Sequence, residues 1–147
     1  MGIGDEPQFG TEERRRRRPE SLRLRAVMPM LRASDLNRSL TWYRDILGFV
    51  VDQELHRDGK LVAVQLKAGK VRFLLEQDDE PDRPHPRGDG IRLYCATRQD
   101  VNRLAAAIQE RGGTLDEAPG EAHGGRDFAV TDPDGYLITI FSRPVTA

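Results

Sequence analysis

The side chains with the most chemistry to offer are three histidines, one cysteine and a scatter of arginines. His56, His85 and His123 lie far apart in sequence, so no pair has the short spacing of a metal-binding motif. His56 precedes an Asp58-Gly59 turn and His85 sits between two prolines, positions that suit solvated side chains. His123 stands beside Gly124-Gly125 and just before Arg126, where an imidazole can meet an anion or change charge near neutral pH. Arg126 can grip a carboxylate or phosphate through its planar fork, or simply pair with a nearby acid such as Asp127. Cys95 lies in an apolar run with no neighbour to lower its pKa, which points to a structural thiol. No nucleophile elbow, phosphate loop or zinc-cysteine pattern is present.

The elements that must position these groups are written twice. Asp35 to Phe49 reads as an amphipathic helix, with Leu36, Leu40, Tyr43 and Leu47 on one face, Ser34 or Asp35 as N-cap and Gly48 as stop. Sixty-five residues on, Asp100-Val101-Asn102-Arg103 repeats Asp35-Leu36-Asn37-Arg38, and Gly113 repeats Gly48. Each copy has a strand before its helix and three strand-like runs after it. In the first copy these are 25–32, then 49–57, 60–67 and 70–77, with Asp58-Gly59 and Ala68-Gly69 as hairpin turns. The second copy has a strand at 90–96, a helix at 99–111, and strands at 114–117, 126–131 and 136–142. Asp132-Pro133-Asp134-Gly135 turns between the last two. The fold class is α+β: two tandem βαβββ modules forming a cupped mixed sheet.

The chain of 147 residues provides one domain's core. A formal charge of −1 gives no global pull toward nucleic acid or membrane, and no apolar run is long enough to span a bilayer. A single cysteine suits a reducing compartment, so the cytoplasm is expected. Residues 1–24 read as a disordered, arginine-rich extension. The Arg14–Arg18 run is flanked by Glu12, Glu13 and Glu20 and lacks aromatic stacking partners, so nucleic-acid binding is not expected of it. One domain is expected over 25–144, with module 1 at about 25–77, a proline-rich linker at 78–89 and module 2 at about 90–144.

The paired units resemble the vicinal oxygen chelate superfamily, which includes glyoxalase I, extradiol dioxygenases and bleomycin-resistance proteins. The matching residues are Met28-Pro29-Met30-Leu31-Arg32, Trp42-Tyr43 through Leu47-Gly48-Phe49, Gly124-Gly125-Arg126-Asp127-Phe128 and Asp132-Pro133-Asp134-Gly135-Tyr136. The resemblance implies two half-cups closing around a ligand, often with both subunits of a dimer contributing. Metal-using members place His or Gln on the first strand of each module and Glu on the last. Carried onto this sequence, those positions fall near Met28, Phe73, Ile91 and Thr139, none a usual metal ligand, and Glu76 lies three residues beyond its point.

The resemblance therefore implies a metal-independent small-molecule-binding protein of the bleomycin-resistance type, with no cofactor. Its ligand would be aromatic or of mixed polarity, held in a cup lined by Met28, Met30, Phe73, Thr139, Phe141, His123 and Arg126. The expected partners are that small molecule and a second copy of the chain. One rival is a metal-dependent lyase, isomerase or dioxygenase with ligands drawn from His56, His123 and Glu76. Another is an association subunit that uses its arginine tail. Trp42, off the stripe of the first helix, is expected to pack.

Overall fold

A computed structural model describes residues 21–84, 86–122 and 124–142. The element order is β1 (Met30–Ala33), α1 (Leu36–Thr41), a π-helical stretch (Trp42–Leu47), β2 (Val50–Arg57), β3 (Lys60–Ala68) and β4 (Val71–Gln77). Then come β5 (Arg92–Thr97), α2 (Val101–Glu110), β6 (Glu117–Ala122), β7 (Gly125–Thr131) and β8 (Leu137–Ser142). The strands form two separate four-stranded sheets with the same order, β1-β4-β3-β2 and β5-β8-β7-β6. In each, the first strand runs parallel to the last and the remaining pairs are antiparallel. The written repeat is thus a structural repeat.

Both helices begin with the same device. The Asp35 side chain accepts from the Arg38 amide, and Asp100 accepts from the Asn102 and Arg103 amides, relieving donors that the first turn leaves without partners. Leu36, Leu40 and Tyr43 are buried in the first copy, and Val101, Ala105 and Ile108 fill the equivalent places in the second. The exit of the first helix is wider than the sequence suggests. Gly48 and Phe49 both donate to the Tyr43 carbonyl, at 3.0 and 2.9 Å, and Gly48 takes a φ of 97°. That left-handed value needs a residue without a Cβ.

Two strands differ most from expectation. The first strand begins at Met30 instead of Arg25, because ladder pairing with β4 starts at Met30 opposite Leu74, and Pro29 before it has no N–H to offer. The run expected at 114–117 becomes β6 at Glu117–Ala122. Its sequence, Glu-Ala-Pro-Gly-Glu-Ala, lacks β-branched and aromatic residues. It is strand because β7 templates it, and the edge location tolerates Pro119 and a register shift between Glu117 and Gly120.

One core runs through both modules, between the helices and the sheet faces turned toward them. Phe49 and Phe73 pack with Tyr43, at centroid distances of 5.6 and 6.0 Å from its ring, and Phe128, Val130 and Ile138 continue the core into the second module. Trp42 packs edge-on to Tyr43 at 4.9 Å. Polar contacts stitch the modules together. The Tyr43 hydroxyl donates to Asp132 at 2.8 Å, Asp134 accepts from the Ser34 amide and the Ser39 hydroxyl, and Tyr136 accepts from the Arg32 amide. Arg111, at the end of α2, donates to the carbonyl of Ile46. No helix among the described residues is long and apolar enough to cross a membrane.

Candidate functional site

Each sheet has one face covered by helix and core and one face left open, and strand alternation decides which side chain goes where. In the first sheet Leu31, Ala33, Phe73, Leu75, Val64 and Leu66 belong to the core. Their neighbours Met30, Arg32, Arg72, Leu74, Glu76 and Gln65 therefore occupy the open face. In the second sheet Leu93, Cys95, Phe128, Val130, Ile138 and Ile140 point to the core. Arg92, Tyr94, Ala129, Leu137, Thr139 and Phe141 take the open face.

These open faces are the candidate site. The first is charged: Arg32 lies 4.0 Å from Glu76, and Asp52 accepts from Gln65 at 2.7 Å and pairs with Arg72 at 3.4 Å. The second is mixed. Tyr94 stacks edge-on with Phe141 at 6.2 Å and stands 63% exposed, while the Arg92 guanidinium sits over its ring at 5.7 Å. Arg92 also meets Glu117 at 3.7 Å, although β5 and β6 are the two edges of the sheet with two strands between them. Long side chains from opposite edges close that gap when the sheet curls toward this face. Beneath them the Thr139 hydroxyl is buried without a hydrogen-bond partner among the described atoms. Leaving a hydroxyl buried without a partner costs about 1–3 kcal/mol.

The structure redistributes the residues proposed from sequence. Met30, Thr139 and Phe141 do lie on open faces. Met28 is half-exposed but precedes β1, and Ile91 precedes β5, so neither belongs to a strand. Phe73 is turned the other way, 2% exposed, between Tyr43 and Phe49. A one-residue error of register moves a side chain to the opposite face of a sheet, and that is what separates Phe73 from Leu74. Glu76 consequently shares the open face. Arg126 points to the helix side, where its Nε donates to Asn102 of α2 at 3.2 Å. His56 is the penultimate residue of β2, exposed and 3.7 Å from Glu54. His85 and His123 lie outside the described residues. Cys95 is half-buried on the core side, and burial pushes its thiol up.

Arg32, Arg92, Tyr94 and Glu117 were missed by sequence reading. The signal available was the i, i+2 spacing of Arg92 and Tyr94 in a strand, but which face it marked depended on the tertiary packing.

Residues 25–140 match the family model for the Glyoxalase/Bleomycin resistance protein/Dioxygenase superfamily. The chain belongs to that superfamily. Among curated proteins it is 33% identical over 61 residues to a putative lactoylglutathione lyase of Brassica oleracea var. gemmifera, a match covering 40% of this chain and 22% of the relative's length. The chain thus spans about a fifth of the curated relatives it matches. Among solved structures, a virulence protein from Salmonella typhimurium superposes with a TM-score of 0.65 at 24% identity, covering 85% of this chain and all of that one. TioX from Micromonospora sp. ML1 gives 0.65 at 17% identity, covering 84% and 99%. A glyoxalase I variant from Zea mays gives 0.69 at 23%, covering 82% of this chain and 45% of that one. These likenesses establish the tandem βαβββ fold.

Metal-using members of the superfamily hold a cation between the open faces. Among the described residues the donor set does not fit one. The open-face residues of the first and last strands of each module are Met30, Arg32, Arg72, Leu74 and Glu76, then Arg92, Tyr94, Ala96, Leu137, Thr139 and Phe141. Among the described residues no three His, Cys, Asp or Glu side chains converge. Arg32 and Arg92, each on the first strand of its module, add positive charge to the open faces, which works against binding a cation there.

Proposed function

We propose that this superfamily member binds a small molecule of mixed polarity on the open faces of its sheets, without a metal, and acts by occupancy alone. The observation that supports this reading most strongly is the second open face. Tyr94 and Phe141 offer an aromatic surface and Arg92 offers a charge beside it. Few convergent polar groups on an aromatic wall are what a small-molecule site requires. Nothing in this constellation activates a nucleophile or water, so the reading is sequestration, a ligand held away from its target with no bond broken. The working compartment would be the cytoplasm.

A homodimer belongs to the same proposal. Each sheet is a half-cup whose open side exposes apolar and aromatic groups among the described residues: Met30, Leu55 and Tyr94 are 42, 56 and 63% exposed. A second copy related by a two-fold axis would set the open face of one module against that of the other.

The probe for binding is the aromatic anion 8-anilinonaphthalene-1-sulfonate, followed by fluorescence with the full chain. Saturable enhancement in the folded protein, lost in Tyr94→Ala, is the expected result. Binding unchanged by Tyr94→Ala would overturn the assignment of the face. Elemental analysis of protein purified without chelator tests the rival enzyme. Near one metal per chain, lost with Glu76→Gln, would favour that metal-dependent rival. Light scattering that shows a monomer across micromolar concentrations would end the dimer proposal.

A further inference from the structure

At the seam between the modules, the linker folds back over the end of the first sheet and leaves a pocket of about 480 Å³. Its charged lining is Arg32, Arg83, Arg87 and Asp78. Asp78 is fully used. Its Oδ1 accepts from the Glu80 amide and Arg83 Nη2, at 2.9 and 3.3 Å, and its Oδ2 accepts from Arg83 Nε and Arg87 Nε, both at 2.7 Å. Four donors on one carboxylate occupy its lone-pair directions. Arg87 is engaged almost as completely, donating to Asp78, to Asp134 at 3.3 Å, and to the carbonyls of Glu80 and Pro81. It is a structural clamp, with a side chain only 9% exposed.

The other two guanidiniums are different. Arg83 gives Asp78 its Nε and Nη2, lies 3.5 Å from Glu80, and keeps its Nη1 side unassigned among the described residues. Arg32 makes no side-chain hydrogen bond to any described residue. Its nearest acids, Asp78 and Glu76, are 3.9 and 4.0 Å away, and Asp78 has no acceptor direction left to give. Both side chains are 40% exposed, so water reaches them and a solute can follow. Pro84, Pro86 and the ring of Tyr136 form the remaining wall.

From this arrangement we infer that the seam pocket is an oxyanion site. It takes the carboxylate or phosphate group of a small molecule between Arg32 and Arg83, with the apolar part of that molecule against Pro84, Pro86 and Tyr136. Planar forks with spare donors match such groups in pairs, and charge-assisted bonds of this type are the strong ones. The acids Glu76 and Glu80, 39 and 72% exposed, meet these guanidiniums only as solvent-exposed pairs, which hold weakly. The inference is independent of the aromatic face in the second module.

The test uses the full chain with inorganic phosphate and benzoate as separate probes, titrated at constant ionic strength with chloride and followed by the arginine Nε–Hε resonances. Saturable shifts with either probe, weakened about tenfold or more in both Arg32→Gln and Arg83→Gln, are expected from the loss of charge-assisted bonds. Arg126→Gln, remote and bonded to Asn102, should leave them unchanged. Phosphate binding the tighter would name a phosphorylated ligand, and benzoate the tighter an aromatic carboxylate. No saturable shift with either probe, or equal weakening in Arg126→Gln, would overturn the inference. Arg32→Gln guards against misfolding in Arg83→Gln, since the Arg32 side chain donates no hydrogen bond within the described fold. Tyr94→Ala separates the two proposals: it should abolish dye binding on the second sheet while leaving the phosphate and benzoate shifts intact.

Discussion

Tyr43→Phe isolates one oxygen atom at the junction of the modules. Tyr43 is 0% exposed, and its hydroxyl donates to Asp132 Oδ2 at 2.8 Å. The ring contacts with Trp42, Phe49 and Phe73 survive the substitution. Only the hydrogen bond is lost. Asp132 is 5% exposed, and its other oxygen already serves the amides of Asp134 and Tyr136. Among the described residues Tyr43 is the one donor to Oδ2. A hydrogen bond to a charged group contributes about 1.5–3 kcal/mol, and stranding the carboxylate oxygen places the loss in that range. For a domain of this size that is roughly 4–12 °C in Tm. The pH dependence sharpens the expectation. Burial raises the Asp132 pKa above the usual carboxylate value, and the Tyr43 hydroxyl partly offsets that. A carboxyl raised in the folded state contributes most below its unfolded pKa and loses that contribution as pH rises through the folded value. The deficit of Tyr43→Phe should thus be largest near neutral pH and shrink once Asp132 is protonated. Urea unfolding at pH 7 and in steps toward pH 4, followed by circular dichroism, measures it. A difference under about 0.5 kcal/mol at pH 7, or one that grows in acid, would refute the reasoning, since ordinary surface substitutions fall within that range.

The remaining expectations concern the core, the linker and acid stability. Phe73→Ala should cost about 3–5 kcal/mol of folding stability, because a fully buried ring leaves a cavity, and a folded variant should keep dye binding; a stable variant that loses dye binding would return Phe73 to the ligand site. Gly88→Ala would drive a Cβ into the backbone of Gly135 and Tyr136, costing about 1–3 kcal/mol by overpacking, as thermal unfolding would show. The guanidinium of Arg83 and the amide of Glu80 hold the Asp78 carboxyl well below the usual range. Its contribution is therefore complete above the unfolded carboxylate pKa of about 4 and is lost as pH falls below it. Asp78→Asn should flatten the acid limb of the stability profile, and an unchanged limb would show that other carboxylates dominate it.

Much of this architecture is written locally. The caps Asp35 and Asp100 and the apolar spacing that buries Leu36, Leu40 and Tyr43 are short-range features, as are the Asp58-Gly59 and Asp132-to-Gly135 turns. They appear at matching offsets because the chain encodes one unit twice. Asp58 and Gly59 adopt φ of 53 and 77°, the pair of left-handed values that such a hairpin turn requires. That much could be read one residue at a time.

What the sequence left open depends on partners far away in the chain. Phe73 and Leu74 are equally apolar, and only the placement of α1 over one face of β4 sends the first to the core and the second to the open side. The weak strand β6 exists because β7 pairs with it, against its own composition. Arg32 and Arg83 read as ordinary surface charges until the linker folds back and fills every acceptor of Asp78, leaving their forks with donors to spare. Periodicity and turn chemistry act within a few residues and so are legible in order. Face, register and hydrogen-bond saturation are set by which distant groups meet, and tertiary structure alone decides that.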